Sequence, residues 1–458
     1  MRIYYAQFVL SRASVLALVL IAWGCENFVE VDPPRNELVR SSVFDSNSTA
    51  SAALTDIYYQ LNRTGFASGS VSSISYLTTL LSDEQVVGTA PLVFSEFAAN
   101  EIRPDNSNVA ELWNGMYKAI YQANAIIEGV QNSTQITEEV AVQIVGEAKF
   151  LRAFSHFYLL NLFGGVPIVT GTDYQLNTNI SRSSESEVYE HILKDLLECE
   201  AVLTDDYNFA GGARVRVNRN VVRAFLSRVY LYQGNWEKAE QFATTVIDNS
   251  AYSLVALSEI VSQNNEEAIW QLYNNFYPND LLAFYLFSAP PRLSSLRESF
   301  VELFEGDDQR RQIWIGSVSS DAVTFFFPMK YHSLESAAQY STVFRLAEQY
   351  LIRAEAKAQL NNVDGALADV NVIRERAGLT SIASSGEVEI MKVIEQERRS
   401  ELFSEWGHRW FDLKRTGRAT AVLSSLKPQW SETDLLLPIP EIQIKNDPSM
   451  KGSQNPGY

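Results

Sequence analysis

The stretch RAFLSRVYLYQGNWEKA, residues 223–239, decides how this chain is read. A helical pattern runs to Gln233, Gly234-Asn235 interrupts it, and Trp236 opens a second one. The layout returns over residues 351–366, 127 positions on. Asn361-Asn362 stands where Gly234-Asn235 does, Ala366 where Ala239 does, and Ala358 where Leu231 does. Small residues beside such a turn let two antiparallel helices approach closely, so each stretch is predicted to be a helical hairpin. Long insertions separate the two copies, which excludes a simple tandem array.

The pattern is that of tetratricopeptide-type hairpins, and the rest of the chain also reads as mainly α. Over residues 112–130, Trp113, Met116, Tyr117, Ile120, Tyr121 and Ile127 recur at three-and-four spacing, an amphipathic helix. A longer helix is predicted over residues 138–163, stopped by Gly164-Gly165 and Pro167. A third covers residues 184–203 and opens on Ser184-x-x-Glu187, a capping-box pattern. Two stretches resist this reading and are predicted to be long irregular loops. Residues 65–104 are rich in Ser, Thr and Gly, and residues 252–340 have weak helical period but dense aromatics. Long loops on a rigid helical base are where binding concentrates.

The 458 residues exceed what one core serves, and the net charge of −18 makes a poor nucleic-acid binder, since phosphate contacts need clustered Lys and Arg. Two cysteines exclude a disulfide framework, and no two of the four histidines have metal-ligand spacing. No cofactor is expected; calcium at Asp205-Asp206 or Asp307-Asp308 stays open as an alternative, although neither pair follows the EF-hand spacing. At the N-terminus, Arg2 and Arg12 precede a short apolar run, Val15 to Trp23, which is about half a membrane span. Residues 1–24 read as a signal peptide. It is either an ordinary secretory signal cut near Gly24 or a lipobox that leaves Cys25 as an acylated (palmitate-type) anchor; the position of Cys25 favours the lipobox. About two acyl chains make such an anchor stable.

At this point several motifs converge. EAKFLRAF (147–154) runs through Tyr158 to FGGVP (163–167). ERRSEL (397–402) is followed by EWGHRWFDLKR (405–415), LPIPE (437–441) and QNPGY (454–458). In this order, behind a lipid-type signal, they make a chain that resembles the SusD/RagB family of outer-membrane lipoproteins over nearly all of its length. The resemblance implies a mainly α SusD-like fold with tetratricopeptide-like helix pairs, an N-terminal SusD-like part over about 25–220 and a C-terminal SusD/RagB part over about 221–458. It also implies a lipid-anchored protein of the Gram-negative outer membrane, exposed at the cell surface. Its partner would be a SusC-like TonB-dependent transporter, and it would capture oligosaccharides, or in some branches peptides, for that barrel. Members often carry clustered acidic residues after the cysteine; here Glu26 is close, with Glu30 and Asp32 further on.

Sugar rings present flat C–H faces that stack on aromatic rings while amides and carboxylates take the hydroxyls. The aromatic insertion is therefore the candidate binding region, with Trp270, Tyr273, Tyr277 and Tyr285 as platforms and Asn274, Asn275 and Asp280 as polar partners. Tyr76, Asp83 and Glu84 in the earlier stretch are further candidates. Glu397, Glu401 and Glu405 invite a catalytic reading as paired carboxylates. Their four-residue spacing, interleaved with arginines, reads instead as an ion network supporting a helix end, with Trp406, Trp410 and Phe411 in the core beside it. Trp113 and Trp236 are expected as core wedges, Cys199 as a buried small hydrophobe, and Asn124 as an amide bonded to a neighbouring turn. No G-x-S-x-G, H-E-x-x-H or P-loop occurs. The leading expectation is a non-catalytic capture protein; a surface glycoside hydrolase and a protein-only scaffold are the alternatives.

Overall fold

The computed structural model describes residues 43–63, 66–68, 70–274, 291, 293–333, 338–384 and 386–458. Helix α1 (Asn47–Arg63) opens the described chain and packs on the first hairpin of a longer array. That array consists of α2 (Ser107–Gln131), α3 (Glu138–Phe163), α4 (Glu185–Val202), α5 (Arg219–Tyr232), α6 (Trp236–Ile247), α7 (Leu346–Gln359), α8 (Val363–Arg376) and α9 (Glu387–Leu402). Each of the eight packs on the next, including α6 on α7, although 98 residues lie between those two in the chain. The two hairpins read from sequence, α5–α6 and α7–α8, therefore stack directly, and the insertion loops out and returns.

The repeat is conserved down to its turn chemistry. Gly234 and Asn361 occupy equivalent left-handed positions, with φ of 70° and 63°. Glycine adopts that region freely and asparagine better than most residues. The following asparagine caps the next helix in both copies: Asn235 Oδ1 accepts from Lys238 N at 3.2 Å, and Asn362 Oδ1 from Gly365 N at 3.0 Å. Ala239, Ala243, Ala354 and Ala366 are fully buried, which lets the paired backbones close up. The other helix boundaries also follow local chemistry. The Ser184/Glu187 capping box is formed in both directions, at 3.3 and 2.8 Å, and α3 stops at Gly164 with φ 75°.

The two stretches predicted as irregular carry regular structure, which corrects that reading. Residues 65–104 contain short helices Ile74–Leu81 and Leu92–Ala99 around strand β1 (Gln85–Val87). The insertion contributes β2 (Ala268–Leu272), β3 (Ser294–Leu296), β4 (Ile315–Ser320) and β5 (Val323–Pro328), and β6 (Ser341–Arg345) follows it. These form a four-stranded antiparallel sheet ordered β1-β3-β5-β4 and a two-stranded ribbon, β2-β6. The ribbon is buried along its whole length, which is why its sequence shows no alternation. It inserts Trp270 and Phe344 among Phe150, Phe154 and Phe225, with ring centroids 5.3–6.2 Å apart. Such pairs contribute about 0.5–1.5 kcal/mol each beyond their burial.

Candidate ligand-binding site

Three chain segments meet at Tyr273. It follows the last residue of β2, and its ring lies edge-on to Tyr340, just ahead of β6, at 5.4 Å and 70°. Asn62, in the last turn of α1, donates from Nδ2 to the Tyr273 carbonyl at 2.9 Å. The anchor beneath is buried: Tyr340 is 4% exposed, Asn62 and Asn274 each 9%, while Tyr273 itself is 51% exposed. Gln339 Oε1 accepts from the backbone N–H groups of His332 and Ser333, both at 2.9 Å, which holds that turn beside Tyr340. Tyr59, one turn before Asn62 on α1, is 49% exposed on the same helix face. The sequence reading missed Tyr59; its place among buried Ile57, Tyr58 and Leu61 gave no sign that it points outward. A half-exposed tyrosine on a fixed edge-on ring, flanked by buried amides, offers a flat apolar face with polar groups at its margin.

The other candidates fall elsewhere. Trp270 is fully buried and presents no face to solvent; its indole belongs to the core described above. Tyr273 lies just past the end of β2, whose register shifts on both sides of Trp270. Tyr76 is 1% exposed, packs edge-on to Phe94 at 5.8 Å, and burial raises its pKa to about 12. Asp83 and Glu84 are buried as well, so these three are interior groups in this structure. Asp83 accepts from Arg409 Nε at 2.7 Å and from Arg399 Nη2 at 2.6 Å, tying the 65–104 stretch to the C-terminal motif. Burial alone would raise the Asp83 pKa, but the hydrogen bond from Arg409 and the Arg399 charge outweigh it and hold the carboxyl below its usual range. Glu84 shows the opposite balance: burial, then the neighbouring Asp83 charge, push it to about 8. Cys25, Asn275, Tyr277, Asp280 and Tyr285 lie outside the described residues.

The glutamate run is an internal ion network, though its partners are not those the spacing suggested. Arg310 Nη1 donates to Glu397 at 3.0 Å and Glu401 at 3.2 Å. Arg345 donates to Glu401 at 2.5 Å, Glu405 at 2.9 Å and Glu267 at 3.0 Å. Arg374 reaches Glu397, Arg376 reaches Glu401, and Lys330 reaches Glu405. Arg398 and Arg399, adjacent in sequence, face away to Asp412 and Asp83, because neighbouring residues on a helix do not share a face. For Glu401, burial is overcome by Arg376, Arg345, Arg310 and Lys330, which hold its pKa well below the ordinary value. The network fastens the insertion (Glu267, Arg310, Lys330) to α8 and the end of α9. Carboxylates committed in this way are scaffold rather than an acid–base pair.

The packing side chains named in the sequence analysis sit where it put them. Asn124 donates to Val169 O at 3.0 Å and accepts from Arg152 at 2.7 Å. Cys199 is buried and its thiol donates to Gly146 O, while burial raises its pKa. Trp113, Trp406, Trp410 and Phe411 are buried, and Trp236 is partly buried against the core. Asp308 pairs with Arg310, and Asp205 with Arg219 and Arg223. Among the described residues no group of three or more His, Cys, Asp and Glu could hold a metal ion, and no helix is long and apolar enough to cross a membrane. A cleft of about 630 Å³ lies away from Tyr273 where α5, α7, α9 and the helix His408–Arg415 meet. Its charged groups are largely paired with one another, as in Arg415 with Glu355 and Arg409 with Glu395.

Residues 28–231 match the family described as "Starch-binding associating with outer membrane", and residues 323–458 match the "SusD family". The chain is similar to a SusD-like protein of Formosa agariphila, 23% identical over 521 aligned residues that cover 96% of this chain and 98% of that one. Among solved structures, a laminarin binding SusD-like protein superposes with a TM-score of 0.74 at 24% identity, covering 90% of this chain and all of the other. Surface glycan-binding protein A from Bacteroides fluxus gives 0.73 at 22% identity, covering 90% and 99%. At these identities the structural likeness establishes the shared, mainly helical fold.

Proposed function

We propose, because this chain belongs to the SusD/RagB family, that it is a non-catalytic nutrient-capture lipoprotein that binds oligosaccharides and delivers them to a SusC-like TonB-dependent transporter. In this reading residues 1–24 are removed and acylated Cys25 tethers the protein to the outer membrane, facing the cell exterior. The chain then divides into an N-terminal SusD-like part (about 25–220) and a C-terminal SusD/RagB part (about 221–458). The stacked hairpins form the rigid base, and the face around Tyr273 meets the glycan. Support comes from the family described as starch-binding and from structural neighbours named for laminarin and surface-glycan binding.

The single observation that carries the reading is Tyr273: half-exposed, braced edge-on by Tyr340, and fixed through its carbonyl by Asn62. Two or three aromatic contacts with a few hydrogen bonds supply about 4 kcal/mol, which is millimolar binding. Weak capture suffices beside a transporter, because the ligand is then presented at high effective concentration. The test is retardation of the purified protein in gels containing starch, laminarin and a panel of other glycans, with reducing ends assayed in parallel. Retardation by at least one glycan, weakened in Tyr273→Ala and without new reducing ends, is the expected result. Steady release of reducing ends, or silence on every glycan, overturns it.

A further inference from the structure

Away from Tyr273, a cleft of about 180 Å³ opens between α2, the short helix Tyr174–Asn177 and the C-terminal segment; none of its lining residues belongs to the Tyr273 site. Its wall is the half-buried Tyr117, backed by the buried Trp113, with centroids 4.9 Å apart and planes tilted by 42°. Trp113 is braced edge-on by Phe163 at 5.1 Å, and the Tyr117 hydroxyl donates to Pro167 O at 2.9 Å. Four polar side chains also line the cleft, and each keeps unused bonding capacity. Gln443 Nε2 donates to Asn114 Oδ1 at 3.0 Å, which leaves Asn114 Nδ2 and Gln443 Oε1. Asn177 Nδ2 donates to Gly171 O at 3.0 Å, which leaves its Oδ1. Asp447 Oδ1 accepts from the Ser449 backbone and hydroxyl at 2.9 and 2.6 Å, which leaves its Oδ2.

Aromatic wall, mixed donors and acceptors, and room for one ring are what a sugar requires, since every hydroxyl is at once donor and acceptor. Among the described lining residues Asp447 is the one with charge, which favours a neutral ligand over an anion. The rim adds a second, independent sign. Tyr121, one turn beyond Tyr117, is 49% exposed, and Tyr174, one turn before Asn177, is 72% exposed. Large apolar side chains left in solvent are normally scattered, and a gathering of them marks a contact surface. Each lies one helical turn from a residue that lines the cleft.

We propose that this cleft is a second subsite for a neutral glycan, so that one long chain is gripped both here and at Tyr273. The proposal rests on the glycan-capture reading above. Two weak sites on one polymer multiply their effect, so losing either costs far more on a polysaccharide than on a short oligosaccharide. The test is gel retardation by soluble starch and by laminarin, comparing the full-length protein with Asn114→Ala/Gln443→Ala, Tyr174→Ala and Tyr273→Ala. The first two variants alter surface side chains only, and an unchanged melting temperature confirms folding. On the polysaccharide that retards the wild type, apparent affinity is expected to fall about 10-fold or more in the double variant and in Tyr273→Ala, and measurably in Tyr174→Ala. Wild-type retardation in the double variant, with loss in Tyr273→Ala, overturns the second subsite and leaves the function standing. A wild type retarded by neither polysaccharide removes glucan capture and the second subsite together.

Discussion

The charged interior around Glu401 and the open face around Tyr273 make the most instructive contrast in the molecule. The first has every attribute of a reactive centre in sequence: three carboxylates at regular spacing among arginines and tryptophans. In space it is sealed, and its carboxylates hold three distant segments together. The second has little charge and little pattern, yet it is an aromatic surface presented to solvent on a braced support. A cluster of ionisable groups shows function only when something is left over for a ligand, and at Glu401 little is left.

The sharpest way to break this contrast is Glu401→Ala. Removing that carboxylate takes one partner from each of Arg310, Arg345 and Arg376 and leaves a buried positive charge uncompensated, and a loss of about 3–5 kcal/mol is expected in urea denaturation. A variant that unfolds like wild type would mean that the network does not hold the fold.

A smaller effect, opposite in sign, is expected at Glu84. Its folded pKa is about 8 against an ordinary 4.5, so the folded state holds the proton more tightly. Its stabilisation is complete below pH about 4.5 and is lost as pH rises through about 8. Glu401 is shifted downward, so its contribution is present above about 4.5 and is lost as pH falls. Glu84→Gln is expected to flatten the decline of the urea midpoint between about pH 5 and 8 and to leave the acid side unchanged. An unchanged alkaline slope would contradict the assignment.

Smaller still is Tyr273→Ala, for which about 0.5–1.5 kcal/mol of affinity for a short oligosaccharide should go while stability moves by no more than about 0.5 kcal/mol. The two readouts separate the open face from the sealed interior. A change of similar size, in stability rather than affinity, is Gly234→Ala, where an added Cβ meets Trp236 at an ordinary 3.5 Å. The left-handed backbone alone is then the cost, about 1 kcal/mol by thermal denaturation. The equivalent Asn361→Gly should be neutral or slightly stabilising.

What could be read from the sequence was local. The Gly164 stop, the Ser184/Glu187 box and the matched turns at Gly234 and Asn361 are decided within a few residues, and each was legible. The β2-β6 ribbon joins Ala268 to Arg345 across the whole insertion, and its fully buried strands show no alternation. Trp270 therefore looked like one more ring in an aromatic loop. The partners of Glu401 come from Arg310, Arg345 and Arg376, which no spacing rule reaches. The binding face was half legible: Tyr273 was named, but Asn62 and Tyr340 join it only through the fold. The Trp113–Tyr117 wall was read as core stripe, because the cleft beside it is closed by residues more than 300 positions away.

Hydrogen exchange read by mass spectrometry, on the protein with and without the polysaccharide that retards it, is the most direct test of the division between sealed network and open face. Protection is expected in segments carrying residues 59–63, 272–274 and 338–341, with none added over residues 397–405. Protection confined to residues 397–405, with the Tyr273 segments unchanged, would place the ligand in the charged interior and contradict the account.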